Sequence, residues 1–168
     1  MRYLYATAAA VAPLLFACAA NAQVVIDTAR TTPITTANAS GSTAANIRFS
    51  ANGSIALTSG TAVTVNSDND LTMDAGSSIS FTNSANGATA VLIAGGNTTD
   101  ISLAGSVTVL DSQNESTDTD QDGDLDGPFA TGSGRYGVRL TGPGAMTGNL
   151  IIQPGATILV EGNDSYGL

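Results

Sequence analysis

Apolar residues along this chain come in short alternating bursts, and a glycine separates each burst from the next. Ile55-x-Leu57 is followed by Gly60 and then by Val63-x-Val65. Leu71-x-Met73, Gly76 and Ile79-x-Phe81 repeat the arrangement. Ile101-x-Leu103, Gly105 and Val107-x-Val109 give a copy one residue shorter on each side, and Leu150-x-Ile152, Gly155 and Ile158-x-Val160 give a fourth. Alternation of period two puts each apolar set on one face of a strand. A glycine between two such halves marks a corner where the backbone bends sharply. Each copy therefore predicts two short strands joined at a corner.

A second element lies between these copies. Gly134-Arg135-Tyr136-Gly137-Val138-Arg139-Leu140 is echoed by Asp164-Ser165-Tyr166-Gly167-Leu168, with the tyrosines 30 residues apart, and more weakly by Gly87–Ile93. Gly76 and Gly105 are 29 apart. A recurring unit of about 30 residues, built from short strands and glycine corners, predicts a β-solenoid. Each unit has one apolar face that it cannot bury alone, and stacking buries it. The alternative is a β-sandwich, whose strands also alternate but need no fixed spacing. The Gly105–Gly155 interval is 50 residues, and the excess coincides with 111–130, which lacks strand character and is expected to be an inserted loop. Residues 23–48 are Thr/Ala-rich and weakly patterned, a leader or capping segment before a solenoid over 49–168. Tyr166-Gly167-Leu168 begins a motif whose earlier copy runs on into a strand, so the chain is expected to be the N-terminal piece of a longer protein.

The first 22 residues have another character. Arg2 precedes an apolar stretch from Leu4 to Ala20, which ends in the small-x-small sequence Ala20-Asn21-Ala22. This order reads as a secretory signal, residues 1–22, cleaved between Ala22 and Gln23. The stretch is too short and Ala-rich for a good membrane span. Phe16 spoils Leu15-Phe16-Ala17-Cys18 as a lipoprotein signal. Cys18 is the one cysteine and leaves with the signal, so no disulfide can staple the mature chain.

Composition narrows the chemistry. The sequence has no histidine, no tryptophan and five basic residues, all arginine. Losing Arg2 leaves four arginines against 14 acidic residues, a mature charge of −10. Such a surface repels nucleic acid and anionic membranes. Without histidine or a mature cysteine there is no Ser-His-Asp triad, no Cys-His pair and no usual zinc site. Carboxylates, hydroxyls and amides are what chemistry is left, and calcium is the metal that suits them.

Half of the acidic residues fall between Asp111 and Asp126. Asp118, Asp120, Asp122, Asp124 and Asp126 alternate, with Gly123 at the sixth place, like the first half of an EF-hand-type calcium loop. The glycine permits the sharp turn that brings carboxylates around one ion. Position 12 is Phe129 instead of a bidentate Glu, so another ligand is required, with Asp111, Glu115 or a carbonyl as candidates. The competing reading is a solvated acidic loop that aids solubility. Elsewhere, Asp68, Asp70 and Asp74 are close enough to consider for glycoside hydrolysis, although Asp at a turn is expected on backbone grounds. Gly132-Ser133-Gly134 lacks a base and is no nucleophile elbow. Tyr136 and Tyr166 fit either sugar stacking or corner packing. No catalytic residue is assigned.

The signal, the cysteine-free repeats and the text "GRYGVRLTG…GNLIIQPGATILVEGNDSYG" together resemble the N-terminal passenger region of type V autotransporters of Gram-negative bacteria. "DTDQDGDLDGPFATGSGRYGVRL" is similar to passengers of sphingomonad-type alphaproteobacteria. The resemblance covers about residues 50–168. It implies a right-handed parallel β-helix, Sec export through the periplasm, and passage to the outer surface through a C-terminal translocator barrel that these 168 residues do not contain. The expected function is that of a structural or adhesive passenger at the cell surface or in the medium, without enzymatic activity, meeting host or neighbouring-cell ligands or glycans. The alternatives are an autotransported hydrolase with its catalytic residues beyond Leu168, and a solenoid polysaccharide lyase or glycosidase acting through aspartates.

Overall fold

A computed structural model describes residues 22–111, 113, 118–128 and 130–168. Apart from Ala22, the signal segment lies outside the described residues, as do Glu115 and Phe129. The chain is all-β and has no α-helix among the described residues. In order, its strands are β1 (Gln23–Ile26), β2 (Ala29–Arg30), β3 (Ile34–Thr35), β4 (Asn46–Phe49) and β5 (Ser54–Leu57). Then come β6 (Thr61–Val65), β7 (Leu71–Met73), β8 (Ser78–Phe81), β9 (Thr89–Ala94) and β10 (Ile101–Leu103). The last are β11 (Ser106–Val109), β12 (Tyr136–Thr141), β13 (Leu150–Ile152) and β14 (Thr157–Val160).

They form three sheets, and each sheet takes every third strand. The first runs β1-β4-β7-β10-β13, the second β14-β11-β8-β5-β2 and the third β12-β9-β6-β3. All pairings between these strands are parallel. The chain thus passes through one strand of each sheet and starts again one level on; one such passage is a coil. The β-sandwich considered from the sequence would be two packed antiparallel sheets, whereas these strands form three parallel ones.

Register follows from the alternating pattern, because a slip of one residue would turn every aliphatic side chain outward. Phe49, Met73, Leu103 and Ile152 make one inward column. Ile55, Ile79, Val107 and Ile158 make another, and Ile34, Val63, Val91 and Val138 line the third sheet. These columns meet in one apolar core running along the stack. Each fully buried aliphatic or phenyl side chain contributes about 1.5–3 kcal/mol.

Three of the four sequence copies lie on equivalent corners, between the first and second sheets. The first copy does not: Ile55–Leu57 is β5 and Val63–Val65 is β6, so it spans the second and third sheets. The true counterpart of Leu71-x-Met73 is Ile47-x-Phe49. Period-two alternation looks the same on every sheet and does not say which sheet a strand joins. The coil length also varies. Equivalent residues Ile47, Leu71, Ile101 and Leu150 are 24, 30 and 49 residues apart. Strand registers are fixed by the core, whereas corners tolerate different lengths. The echo at Gly87–Ile93 is in register, since Val91 pairs with Val138 and Ile93 with Leu140.

Two glycine corners show why glycine stands there. Gly76 adopts φ of 92°, which side chains on other residues resist. At Gly105 a Cβ would lie 2.5 Å from the Ser77 carbonyl oxygen of the coil below. Ile79→Ala, within the core, is expected to cost about 2–5 kcal/mol. Ser80→Ala, one residue on and facing outward, is expected to change stability by about 0.5 kcal/mol or less. Urea denaturation of the two variants checks both figures.

Candidate functional site

The inserted residues leave the stack at the corner between the second and third sheets. That corner takes three residues after β5 and seven after β8, but residues 110–135 after β11. A buried ion pair closes the root of the insertion. Arg135 Nη1 lies 2.6 Å from Asp111 Oδ2, and both side chains are almost completely buried. The Asp111 carboxylate also accepts the amides of Thr131 at 3.1 Å and Gly132 at 2.9 Å, so it ties the outgoing strand to the returning one. Arg135 donates further to the carbonyls of Ser84 in the coil before and Glu161 in the coil after. The amide of Asp111 donates to Glu161 Oε2 at 3.0 Å. Charges taken out of water need close partners and further hydrogen bonds, and these supply them at both Nη atoms and at the carboxylate, while Arg135 Nε is buried without a partner. Gly132 has no side chain because the guanidinium fills its place; a Cβ there would lie 2.0 Å from Arg135 Nη2. Sequence reasoning missed Arg135. Its one local signal is the pair of flanking glycines, Gly132 and Gly134.

Beyond this root, the five alternating aspartates divide. One oxygen each from Asp118, Asp120 and Asp122 lies within 4.8 Å of the others. Asp118 accepts the amides of Gln121 at 2.6 Å and Gly123 at 3.0 Å, and Asp120 and Asp122 accept those of Asp122 and Asp124. Such side-chain-to-backbone bonds fold the segment back on itself. Gly123, at φ 100°, makes the turn. The hollow so formed is anionic and suits a hard divalent cation. Asp124 is outside the trio. Asp126 instead accepts the hydroxyl and the amide of Thr119. Those two bonds, the hydroxyl's first, hold the Asp126 carboxyl below the usual carboxylate range. Its folded value is lowered, so the pinch with Thr119 holds at neutral pH and is lost as pH falls through that value. Asp111, a candidate further ligand, is engaged at the root.

The other carboxylates have structural partners. Asn46 Oδ1 accepts the amide of Asp70, Asp70 Oδ1 that of Asp100, and Asp100 Oδ1 that of Asn149. These four residues stand at the entrance to successive strands of the first sheet, and their side chains form a ladder along the stack. Asp68 Oδ1 accepts the amide of Thr98 at 2.7 Å. Asp74 pairs with Arg48 at 2.7 Å on the surface. A cleft of about 250 Å³ beside the ladder is lined by Asp70, Thr99, Asp100, Thr147 and Asn149. Ser133 donates its amide to Asn86 and bridges to Asn163. Tyr136 and Tyr166 stack with centroids 5.8 Å apart, and the Arg139 guanidinium lies 4.3 Å from the Tyr136 centroid.

Arg135→Ala is expected to cost about 3–5 kcal/mol, because it strands the buried Asp111 charge. Pairing Arg135→Met with Asp111→Leu is expected to recover much of that loss, read by thermal unfolding of the three variants. In the ladder, Asp100→Asn keeps the accepting oxygen and is expected to be near neutral, whereas Asp100→Ala loses about 0.5–1.5 kcal/mol per bond. No protein-family model, no curated protein and no solved structure matches this chain, so the corner and its loop are read from their own geometry.

Proposed function

We propose that this protein is an exported structural or adhesive segment: a right-handed parallel β-helix that holds an acidic loop out from its side. Its residues 1–22 direct Sec export, cleavage falls between Ala22 and Gln23, and the mature chain acts at the cell surface or outside the cell. This is the passenger role that its resemblance to type V autotransporters implies. One observation carries the reading. The carboxylates most open to a catalytic interpretation, Asp68, Asp70 and Asp74, are tied to backbone amides of the next coil or to Arg48. They support the stack. The side chains that face outward include Asp120, Asp122 and Asp124 of the loop, together with Tyr166 and Arg139, chemistry that fits surface ligands or glycans.

The loop's ion, in this reading, is calcium. Three converging carboxylates repel one another, and a divalent cation relieves that repulsion. Oxygen-only donors match calcium's preference.

Expression with its own leader in a Gram-negative host is expected to yield an exported product whose intact mass begins at Gln23. A product kept in the cytoplasm with Met1 or its leader intact would sink the export reading. Incubated with acidic polysaccharides, the exported chain is expected to leave them uncut, and chain cleavage would replace the structural role with an enzymatic one. Calorimetry with calcium is expected to show saturable heat that Asp120→Asn removes. The absence of any saturable heat at about millimolar ion would end the calcium assignment.

A further inference from the structure

The ladder along the first sheet carries charge that its own bonds do not need. Asn46, Asp70 and Asp100 each give Oδ1 to an amide of the next coil, at 2.9, 2.8 and 2.8 Å. Neutral Asn46 fills the place as well as charged Asp70, because the bond asks for one carbonyl-like oxygen. The two aspartates are neighbours in the ladder, and both line the cleft of about 250 Å³ beside it. Their charge and their second oxygens are surplus to the stack, and the surplus collects at one hollow.

That cleft spans three coils at the corner between the third and first sheets. Asp70 lies at its foot, Thr98, Thr99 and Asp100 across its middle, and Thr147 and Gly148 at its upper rim. Backbone contacts fix these levels. Asp68 Oδ1 accepts the amide of Thr98, Thr98 bridges in parallel to Thr147, and the amide of Thr99 donates to the Thr147 carbonyl at 2.8 Å. Thr99 is buried, and its hydroxyl donates to the Asn69 carbonyl at 2.8 Å. A Cβ on Gly148 would lie 2.1 Å from the Thr99 carbonyl oxygen, so a bare backbone forms the rim there. The groups left over are Oδ2 of Asp70, Oδ2 of Asp100 and the hydroxyls of Thr98 and Thr147. None of the four makes a hydrogen bond among the described residues.

These groups select by chemistry. Two carboxylates repel an anion, and so does a chain with 14 acidic residues and five basic ones. A bare cation is served elsewhere: among the described residues, the acid oxygens gathered within 4.8 Å of one another are those of Asp118, Asp120 and Asp122. Acceptors set on successive coils suit a neutral ligand that brings its own O–H donors. A hydroxyl donating to a carboxylate forms a charge-assisted bond, roughly twice as strong as a neutral one. Threonine hydroxyls both donate and accept. A pyranose ring, with hydroxyls on adjacent carbons, answers all four groups. Pockets for drug-sized ligands run to about 300–1,000 Å³, and this smaller cleft has room for a single ring. Thr98, Asp100 and Thr147 are exposed, so the rest of a glycan chain has an open path to solvent.

The geometry points to this cleft as a subsite for one neutral sugar ring of a surface glycan. Asp70 and Asp100 accept its hydroxyls through Oδ2, Thr98 and Thr147 bracket it, and the Oδ1 atoms go on holding the stack. The ligand class rests on the adhesive reading of the chain. The position is separate from the acidic loop and from Tyr166 and Arg139.

Titration of the isotope-labelled chain with methyl α-glucoside, methyl α-galactoside and methyl α-mannoside, followed by amide chemical shifts, tests it. At least one of these sugars is expected to move the amides of Thr99, Asp100 and Asn149 saturably, with Kd of about 1–10 mM. Glucuronate and calcium chloride are expected to leave those amides in place. Asp100→Asn keeps the oxygen that Asn149 needs, so it should hold Tm while weakening sugar binding about fivefold or more, and Asp70→Asn should do the same. Asp74→Asn, outside the cleft, should bind as the unaltered chain does. No saturable shift at the cleft with any of the three sugars up to about 100 mM overturns the inference. So does calcium moving these amides where the sugars do not, or an Asp100→Asn chain that binds sugar undiminished. Sugar shifts confined to Tyr166 and Arg139 would remove the cleft and leave the adhesive reading standing.

Discussion

A strand of two to six residues with one apolar face cannot bury that face by itself, and everything else in this molecule follows from that constraint. Its strands are that short, and none has a hairpin partner in the next stretch of chain. Each finds its hydrogen bonds and its packing one coil away. Parallel register then aligns like with like: aliphatic over aliphatic inward, and small polar residues outward and at corners. Stability accumulates coil by coil, as each coil buries its apolar face on the next.

Stacking also decides what polar side chains do. Parallel strands entering a sheet leave amides at the corner that need acceptors. Asn46, Asp70 and Asp100 meet that need with one oxygen each. Asn and Asp serve equally in this role, because the geometry asks only for a carbonyl-like oxygen at the right height. The negative charge of Asp70 and Asp100 is incidental to the bond. A carboxylate-rich sequence with little basic balance is therefore compatible with a purely architectural use of its acids, and the acidic total says less about function than the placement of each acid does.

Much of the architecture was legible in the residues. Alternation, glycine corners and the echo between Gly87–Ile93 and Gly134–Leu140 were enough to predict an all-β chain of stacked short strands, and parallel sheets are what the chain forms. The placement of the first copy was not legible, because period two is identical on all three sheets. Nor was coil length, since corners vary from coil to coil while the core holds the strands. The acidic loop was found by its spacing, yet only Asp118, Asp120 and Asp122 converge, and Asp126 is taken by Thr119. Which acids converge depends on how each side chain bonds its own backbone, and alternation does not encode that. Arg135 escaped notice because burial of an arginine depends on partners distant in sequence: Ser84, Asp111 and Glu161.

That buried arginine explains how a stack built on strict register carries a long insertion at all. Residues 110–135 interrupt a corner that elsewhere needs three or seven, and a loose excursion of that length would let β12 drift relative to β9. Asp111 and Arg135 remove the freedom by joining the outgoing and returning chain, and Arg135 fastens the joint to the coils on either side. Hydrogen bonds around both charges offset part of the cost of desolvating them. An apolar contact would fill the same space without fixing direction, whereas the guanidinium fork meets three oxygens in three successive coils. The register on which the core depends is thus held by Asp111 and Arg135 and not by the aspartates from Asp118 to Asp126.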